Sequence, residues 1–286
     1  MKIKQFVVFL VLVASGLTEA NAITFGDALK KREIRYQVVA IPGPRRMLLK
    51  IKNLLSSRRK VELEAGRFFT CNSATQPFVI SRPVAIELDP GEEREIPIRA
   101  YCGFATAHIP DIGQEFKSTN LGNKNLCDVL NMVSKYHIVS ENLYQQIIWF
   151  YTNKFNIAAV YSADVDRELL GLVLKYICDK EGLKLPKYNI SYAAAPSGDA
   201  LEFSGRPETI YGNIELALHK RSDLHVKVLD AQGNQVELIE VHVDQPAGEL
   251  EIPIALRISE YKLGEYTVCV SDEHGAIVGS MPVTVS

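Results

Sequence analysis

The chain has 286 residues, 47% of them hydrophobic, with 32 basic side chains against 34 acidic ones. That length exceeds the ~100 to 200 residues of one typical domain, so two or three packed units are expected. A net charge of −2 offers no basic face to nucleic acid and no pull toward an anionic membrane, so neither is expected as a partner.

Lys2 and Lys4 precede an unbroken apolar run from Phe6 to Ala14, and the small-residue site Ala20-Asn21-Ala22 follows. These are the parts of a secretory signal peptide, residues 1–22. The run is too short to hold a bilayer, and Ile23 stands where a lipoprotein carries its lipid-accepting Cys. No later run reaches the ~18 apolar residues of a transmembrane helix. The expectation is a protein secreted to the periplasm, the cell surface or the medium, with no integral membrane segment after cleavage.

Residues 23–112 read as a β-sandwich. Ile34 to Ile41 and Met47 to Ile51 are β-rich runs split by Pro42-Gly43-Pro44, and Val61 to Ala65 alternates with period two. Phe78 to Ile80, Val84 to Leu88 and Arg94 to Arg99 follow, punctuated by Pro and Gly. Short strands at intervals of roughly ten residues mark an antiparallel, immunoglobulin-like sandwich. Only Phe25 to Arg32 has room for a helix.

Residues 113–185 read as a small three-helix bundle. Leu126, Val129, Leu130 and Val133 make one apolar face, and Ser140 caps a helix carrying Leu143, Ile147, Phe150 and Tyr151. A third helix begins near Ser162, places Val165, Leu169, Leu172, Val173, Tyr176 and Ile177 inward, and stops at Gly182.

Residues 186–286 return to strands and carry a weak repeat. Val226-Lys-Val-Leu-Asp230 with Gly233 is echoed by Val268-Cys-Val-Ser-Asp272 with Gly275. Asp bonds the turn backbone and Gly supplies the positive φ, so each is a hairpin and the segment is a second sandwich. The V-x-V-x-D-x-x-G pattern with Leu263-Gly-Glu-Tyr266 resembles the immunoglobulin-like C-terminal sorting modules of the type IX secretion system. The fold class expected is multidomain α+β: sandwich, helical bundle, sandwich.

All five cysteines, Cys71, Cys102, Cys127, Cys178 and Cys269, lie beyond the leader, where disulfides persist. An odd count leaves at least one thiol over. Cys71 and Cys102 fall in the first β-rich segment and Cys127 and Cys178 in the helical one. These pairs are the expected bridges, with Cys269 free and buried; the alternative is five small buried hydrophobes.

Chemistry-bearing motifs are scarce. The histidines at 108, 137, 219, 225, 242 and 274 are scattered singly, and no H-E-x-x-H, C-x-x-C or EF-hand spacing occurs, so no metal and no cofactor are expected. His242-Val-Asp244 is as well explained by an exposed strand face as by a ligand pair. Asp164 and Asp166 sit at a helix start, where negative charge suits the dipole. No G-x-S-x-G elbow is present. Ala100-Tyr-Cys102 together with Gln145-Gln-Ile-Ile-Trp149 resembles the Y-C and T-Q-x-A-I-W motifs of bacterial thioester adhesin domains. The resemblance implies Cys102 as nucleophile and Gln145 as acyl donor of a buried thioester, which traps an outside amine or hydroxyl covalently. The competing reading pairs Cys102 with Cys71 and makes Ile147, Ile148 and Trp149 helix core.

The leading expectation is a non-enzymatic bacterial envelope or surface protein, a binding or structural module of adhesin type, facing a protein or glycan partner. Covalent adhesion through Cys102 and Gln145 is the second reading. A secreted hydrolase with its site between bundle and sandwich is the third.

Overall fold

The computed structural model describes residues 22–43, 46–71, 75–193 and 206–285. The expected signal peptide as far as Asn21, and Pro44 of the first turn, lie outside the described residues. β1 (Ile23–Thr24) leads into α1 (Phe25–Lys30), followed by β2 (Ile34–Ala40), β3 (Arg46–Asn53), β4 (Arg59–Leu63) and β5 (Arg67–Thr70). Next come β6 (Phe78–Ile80), β7 (Val84–Leu88), β8 (Glu93–Cys102) and β9 (Glu115–Leu121). Six of these close into a barrel in the order β2-β3-β8-β6-β5-β9, while β1, β4 and β7 form a small sheet beside it.

Alternation drives the closure, since a strand puts successive side chains on opposite faces. Met47, Leu49 and Ile51 of β3, Ile98, Ala100 and Cys102 of β8, and Phe69, Phe78 and Phe116 meet in one buried core. β9 completes the ring by pairing with β2 at Val38↔Phe116 and with β5 at Thr70↔Lys117. Its sequence hides it: of seven residues only Phe116 is buried, so no apolar alternation announces a strand.

The helices are α2 (Lys124–Lys135), α3 (Glu141–Asn153) and α4 (Arg167–Glu181), with a single 3-10 turn at Ile157–Ala159 between the last two. Asn123, Ser140 and Asp166 cap them, each side chain accepting from a first-turn N–H. Gly182, at φ 67°, ends α4 as its sequence requires. The start of α4 shifts from Ser162 to Asp166, and its buried face carries Leu170 and Leu174 while Leu172 is exposed.

The C-terminal unit holds β10 (Tyr188–Tyr192), β11 (Pro207–Leu218), β12 (Ser222–Asp230), β13 (Gln235–Gln245), β14 (Gly248–Arg257), β15 (Gly264–Ser271) and β16 (Ile277–Val285). Sheet β10-β11-β14 packs on sheet β13-β12-β15-β16 to give a β-sandwich. Ile210, Ile214 and Leu216 face Leu224, Val226, Val228, Val268 and Val270 across its core. The sequence repeat is a geometric one. Asp230 Oδ1 accepts from the N–H groups of Gln232 and Asn234, and Asp272 Oδ1 from those of His274 and Ala276. Gly233 and Gly275 both sit at φ 84°.

The expected order of immunoglobulin-like sandwich, separate bundle and second immunoglobulin-like sandwich is overturned. Strands hold 47% of the described residues and helices 20%, and the first unit is a closed barrel. The helices do not make a bundle of their own. Their apolar side chains Leu126, Val129, Leu130, Ile147 and Ile148 share one core with Ala65, Val79 and Tyr101 on the strands. The physical reason is that barrel strands such as β6 are apolar on both faces, so the outward set needs cover. α2, α3 and α4 supply it.

Candidate functional site

β8 and α3 run side by side, joined by a series of side chains in matching order. Arg99 pairs with Glu141 at the start of α3. The Tyr101 and Tyr144 rings lie 5.7 Å apart, and Tyr144 is fixed from its other side by Arg82, whose Nε donates to the hydroxyl at 2.9 Å. Burial raises the Tyr144 hydroxyl above the usual tyrosine range, so it stays protonated beside the guanidinium.

The next pair is Cys102 and Gln145, each 2% exposed. The Cys102 N–H donates to Gln145 Oε1 at 3.1 Å, and Gln145 Nε2 donates back to the Cys102 carbonyl at 2.8 Å. The carboxamide thus takes the place of a neighbouring strand. β3 follows β8 only as far as Arg46↔Arg99 among the described residues, and β6 occupies the other side through Phe78↔Cys102. A buried N–H and C=O must be paired, and here one glutamine side chain satisfies both.

Two helical turns further on, Asn153 completes the seam. Its Oδ1 accepts from the Ala105 N–H at 3.2 Å, and its Nδ2 reaches the Gly103 carbonyl at 3.4 Å. Between the two carboxamides, Trp149 enters the barrel core and meets Phe155 with ring centroids 6.1 Å apart. Phe155 in turn stacks on Tyr192 at 5.8 Å, and Tyr192 packs against both the barrel core and the sandwich core. The Cys102–Gln145 pair therefore lies in a buried, aromatic surround near the junction of the two units.

Chemically, the arrangement places an amide carbonyl carbon beside a cysteine whose own N–H already polarises that carbonyl. An oxyanion forming on Gln145 Oε1 would meet a donor that is already in position, which is how backbone N–H groups stabilise acyl-transfer intermediates.

The other expected residues are placed differently. No disulfide joins any of the five cysteines in the structure, so neither the Cys71–Cys102 nor the Cys127–Cys178 bridge is formed. Cys127 Sγ faces the Gly122 carbonyl and packs so tightly on Gly66 that a Cβ there would lie 2.5 Å from the sulfur. Cys178 Sγ points to the Lys184 carbonyl instead. Burial raises both thiols. Cys71 is half-buried against the barrel core, and Cys269 is fully buried in β15. His242 and Asp244 do not converge, since His242 lies by Glu240 and Asp244 pairs with Arg221 at 2.6 Å. No group of three or more metal-ligating side chains occurs among the described residues.

A shallow hollow of about 440 Å³ lies where α2 begins and α3 and α4 end, lined by Phe150, Tyr151, Lys154, Phe155 and Glu181 among others. Among the described residues that line it there is no serine, cysteine or histidine. Among the described residues no helix is long and apolar enough to cross a membrane.

Asn153 is the site residue that the sequence reading missed. Gln145, Trp149 and Asn153 recur every four residues on one helical face, a stripe that mixes polar and aromatic side chains and so does not stand out as core. No protein family matches this chain, and no curated protein matches it significantly.

Proposed function

We propose that this chain is an exported, adhesin-like surface module in which Cys102 and Gln145 close an internal thioester that captures a partner covalently. The observation that carries this reading is the buried two-way pairing of the Gln145 carboxamide with the Cys102 backbone. In ring closure the Cys102 thiol attacks Gln145 Cδ, the S–C bond forms, the thiol proton passes to Nε2, the C–N bond breaks, and Nε2 leaves as ammonia. In capture an amine on the partner attacks the same carbon, an amide forms, and the Cys102 thiol is released. The protein is consumed stoichiometrically and is no enzyme. The partner is a protein or glycan surface that presents an amine or hydroxyl. The sandwich serves as the rigid scaffold that holds the reactive unit away from its attachment.

The test is the intact mass of the exported, unreduced protein. A closed thioester lowers the mass by ~17 Da and is opened by methylamine with a gain of ~31 Da. Cys102→Ala and Gln145→Ala each abolish both changes. A wild-type mass equal to the sequence, or short by only ~2 Da per disulfide with no response to methylamine, overturns the covalent reading. Gln145 would then be a structural pin in a module that binds without a bond.

A further inference from the structure

The sandwich has four rim strands, and three of them are blunted. β14 carries Pro253 and β16 carries Pro282, residues with no N–H to offer a neighbour, while β10 is only five residues long. β13 is different. It runs for 11 residues, Gln235–Gln245, without a Pro, Lys or Arg, and among the described residues only β12 pairs with it. Its other edge presents a row of backbone N–H and C=O groups. We propose that this edge takes an extended segment of a partner protein as an added strand, one in which apolar and basic side chains alternate.

The side chains of β13 set that pattern. Val236, Leu238, Val241 and Val243 are 45–66% exposed. Leu238 and Val241 are three apart, so a regular strand would point them to opposite faces. Leu238 stands opposite Lys227 and Glu240 opposite the adjacent Val226, which leaves Ile239 as an extra residue. That bulge returns Val241, opposite His225, to the solvent face with Leu238. Glu237 and Glu240 stand opposite Val228 and Val226, which belong to the core face of β12. Asp244 is neutralised by Arg221 at 2.6 Å. Glu237 instead accepts from the neutral Tyr261 hydroxyl, and Glu240 lies by His242 at 3.4 Å. Among the described residues neither glutamate pairs with a Lys or Arg.

An added strand therefore meets apolar side chains on one face and carboxylates on the other, and cross-strand pairs reward apolar residues alternating with basic ones. A second copy of β13 would set glutamates against glutamates, so the charges that bar self-pairing also select the partner.

The test titrates the full chain with a peptide of alternating Arg and Val, about eight residues long and blocked at both ends. It holds no amine, so capture by a thioester cannot contribute and the two proposals fail separately. The alternating peptide should bind at least about tenfold more tightly than an alternating Glu-Val peptide or one with the same Arg and Val in two blocks, and should slow amide exchange in β13. Leu238→Lys with Val241→Lys, both at exposed positions, should weaken binding at least about tenfold, and Glu237→Gln with Glu240→Gln about three- to tenfold, with melting temperatures unmoved. No binding of the Arg-Val peptide overturns the proposal. Equal binding of the two-block peptide, or binding without protection of β13, reduces it to charge attraction and overturns it as well. Self-association of the wild-type chain that Leu238→Lys with Val241→Lys abolishes gives the edge to a second copy and overturns the basic partner.

Discussion

The barrel unit and the sandwich are built from similar strands but bury different things. Eight of the ten buried polar side chains among the described residues, including Asn53, Glu64, Arg67, Gln76 and Gln145, belong to the barrel unit and its helices. The sandwich contributes only Ser222 and Ser271. Apolar alternation is enough to stack two sheets, whereas a closed barrel with helices on its wall leaves strand ends and loops inside the fold that only side chains can satisfy. Buried polar groups specify one arrangement and cost much when half broken, so the barrel unit should be the more brittle and the sandwich the more tolerant.

Arg67→Ala gives the sharpest break of that contrast. The Arg67 guanidinium meets Glu64 at 2.6 Å and the Thr119 carbonyl at 2.8 Å, tying β5 to the closing strand β9, while Glu64 Oε1 also accepts from the Gly26 N–H. Removing one partner strands a nearly buried charge, at a cost of about 3–5 kcal/mol. Denaturant unfolding followed by Trp149 fluorescence should show that loss in the barrel unit, with the sandwich transition, followed by far-UV circular dichroism, unmoved. A shift of both transitions by the same amount would mean that the two units unfold as one.

The sandwich hairpins predict a smaller effect. Asp230→Ala and Asp272→Ala each remove an acceptor for two turn N–H groups, a loss comparable to that of a helix cap, about 1 kcal/mol. The backbone geometry of the two turns is shared, but Asp230 Oδ2 also accepts from Asn234 Nδ2 at 3.0 Å while the second turn has Ala276 at that place, so Asp230→Ala should cost somewhat more than Asp272→Ala in thermal melts. Equal values would show that the exposed Asn234 contact adds nothing.

The smallest effect is a pH dependence in the barrel unit. Hydrogen bonds from Ser162 and then Ser140 hold the Asp164 carboxyl below its ordinary value of 3.8. A lowered folded-state pKa gives stability that is complete above the ordinary value and is lost as pH falls through the folded one. Asp164→Asn should therefore lower stability near neutral pH and flatten its decline below about pH 4. An unchanged acid limb would show that the serines bond the neutral carboxyl equally well.

Individual elements were legible in the chain, though their assembly was not. The helix caps at Ser140 and Gly182, the strand alternation around Val61 and the two D-x-x-G hairpins all follow from local chemistry, because each is decided within a few residues. β9 was not legible, since Glu115 to Leu121 buries one side chain and earns its place by pairing with two distant strands. The helices were found, but their role was misread. Their periodicity reports that one face is covered and not what covers it.

The sequence by itself determined the strand-rich composition, the ends of the helices and the two residue types on which a thioester depends. Only the tertiary structure decided that Cys102 and Gln145 meet. Forty-three positions separate them, and the barrel must close and turn Tyr101 outward before α3 has a wall to pack on. The same packing brought in Asn153, whose significance lies in a peptide that no local pattern could have placed beside it.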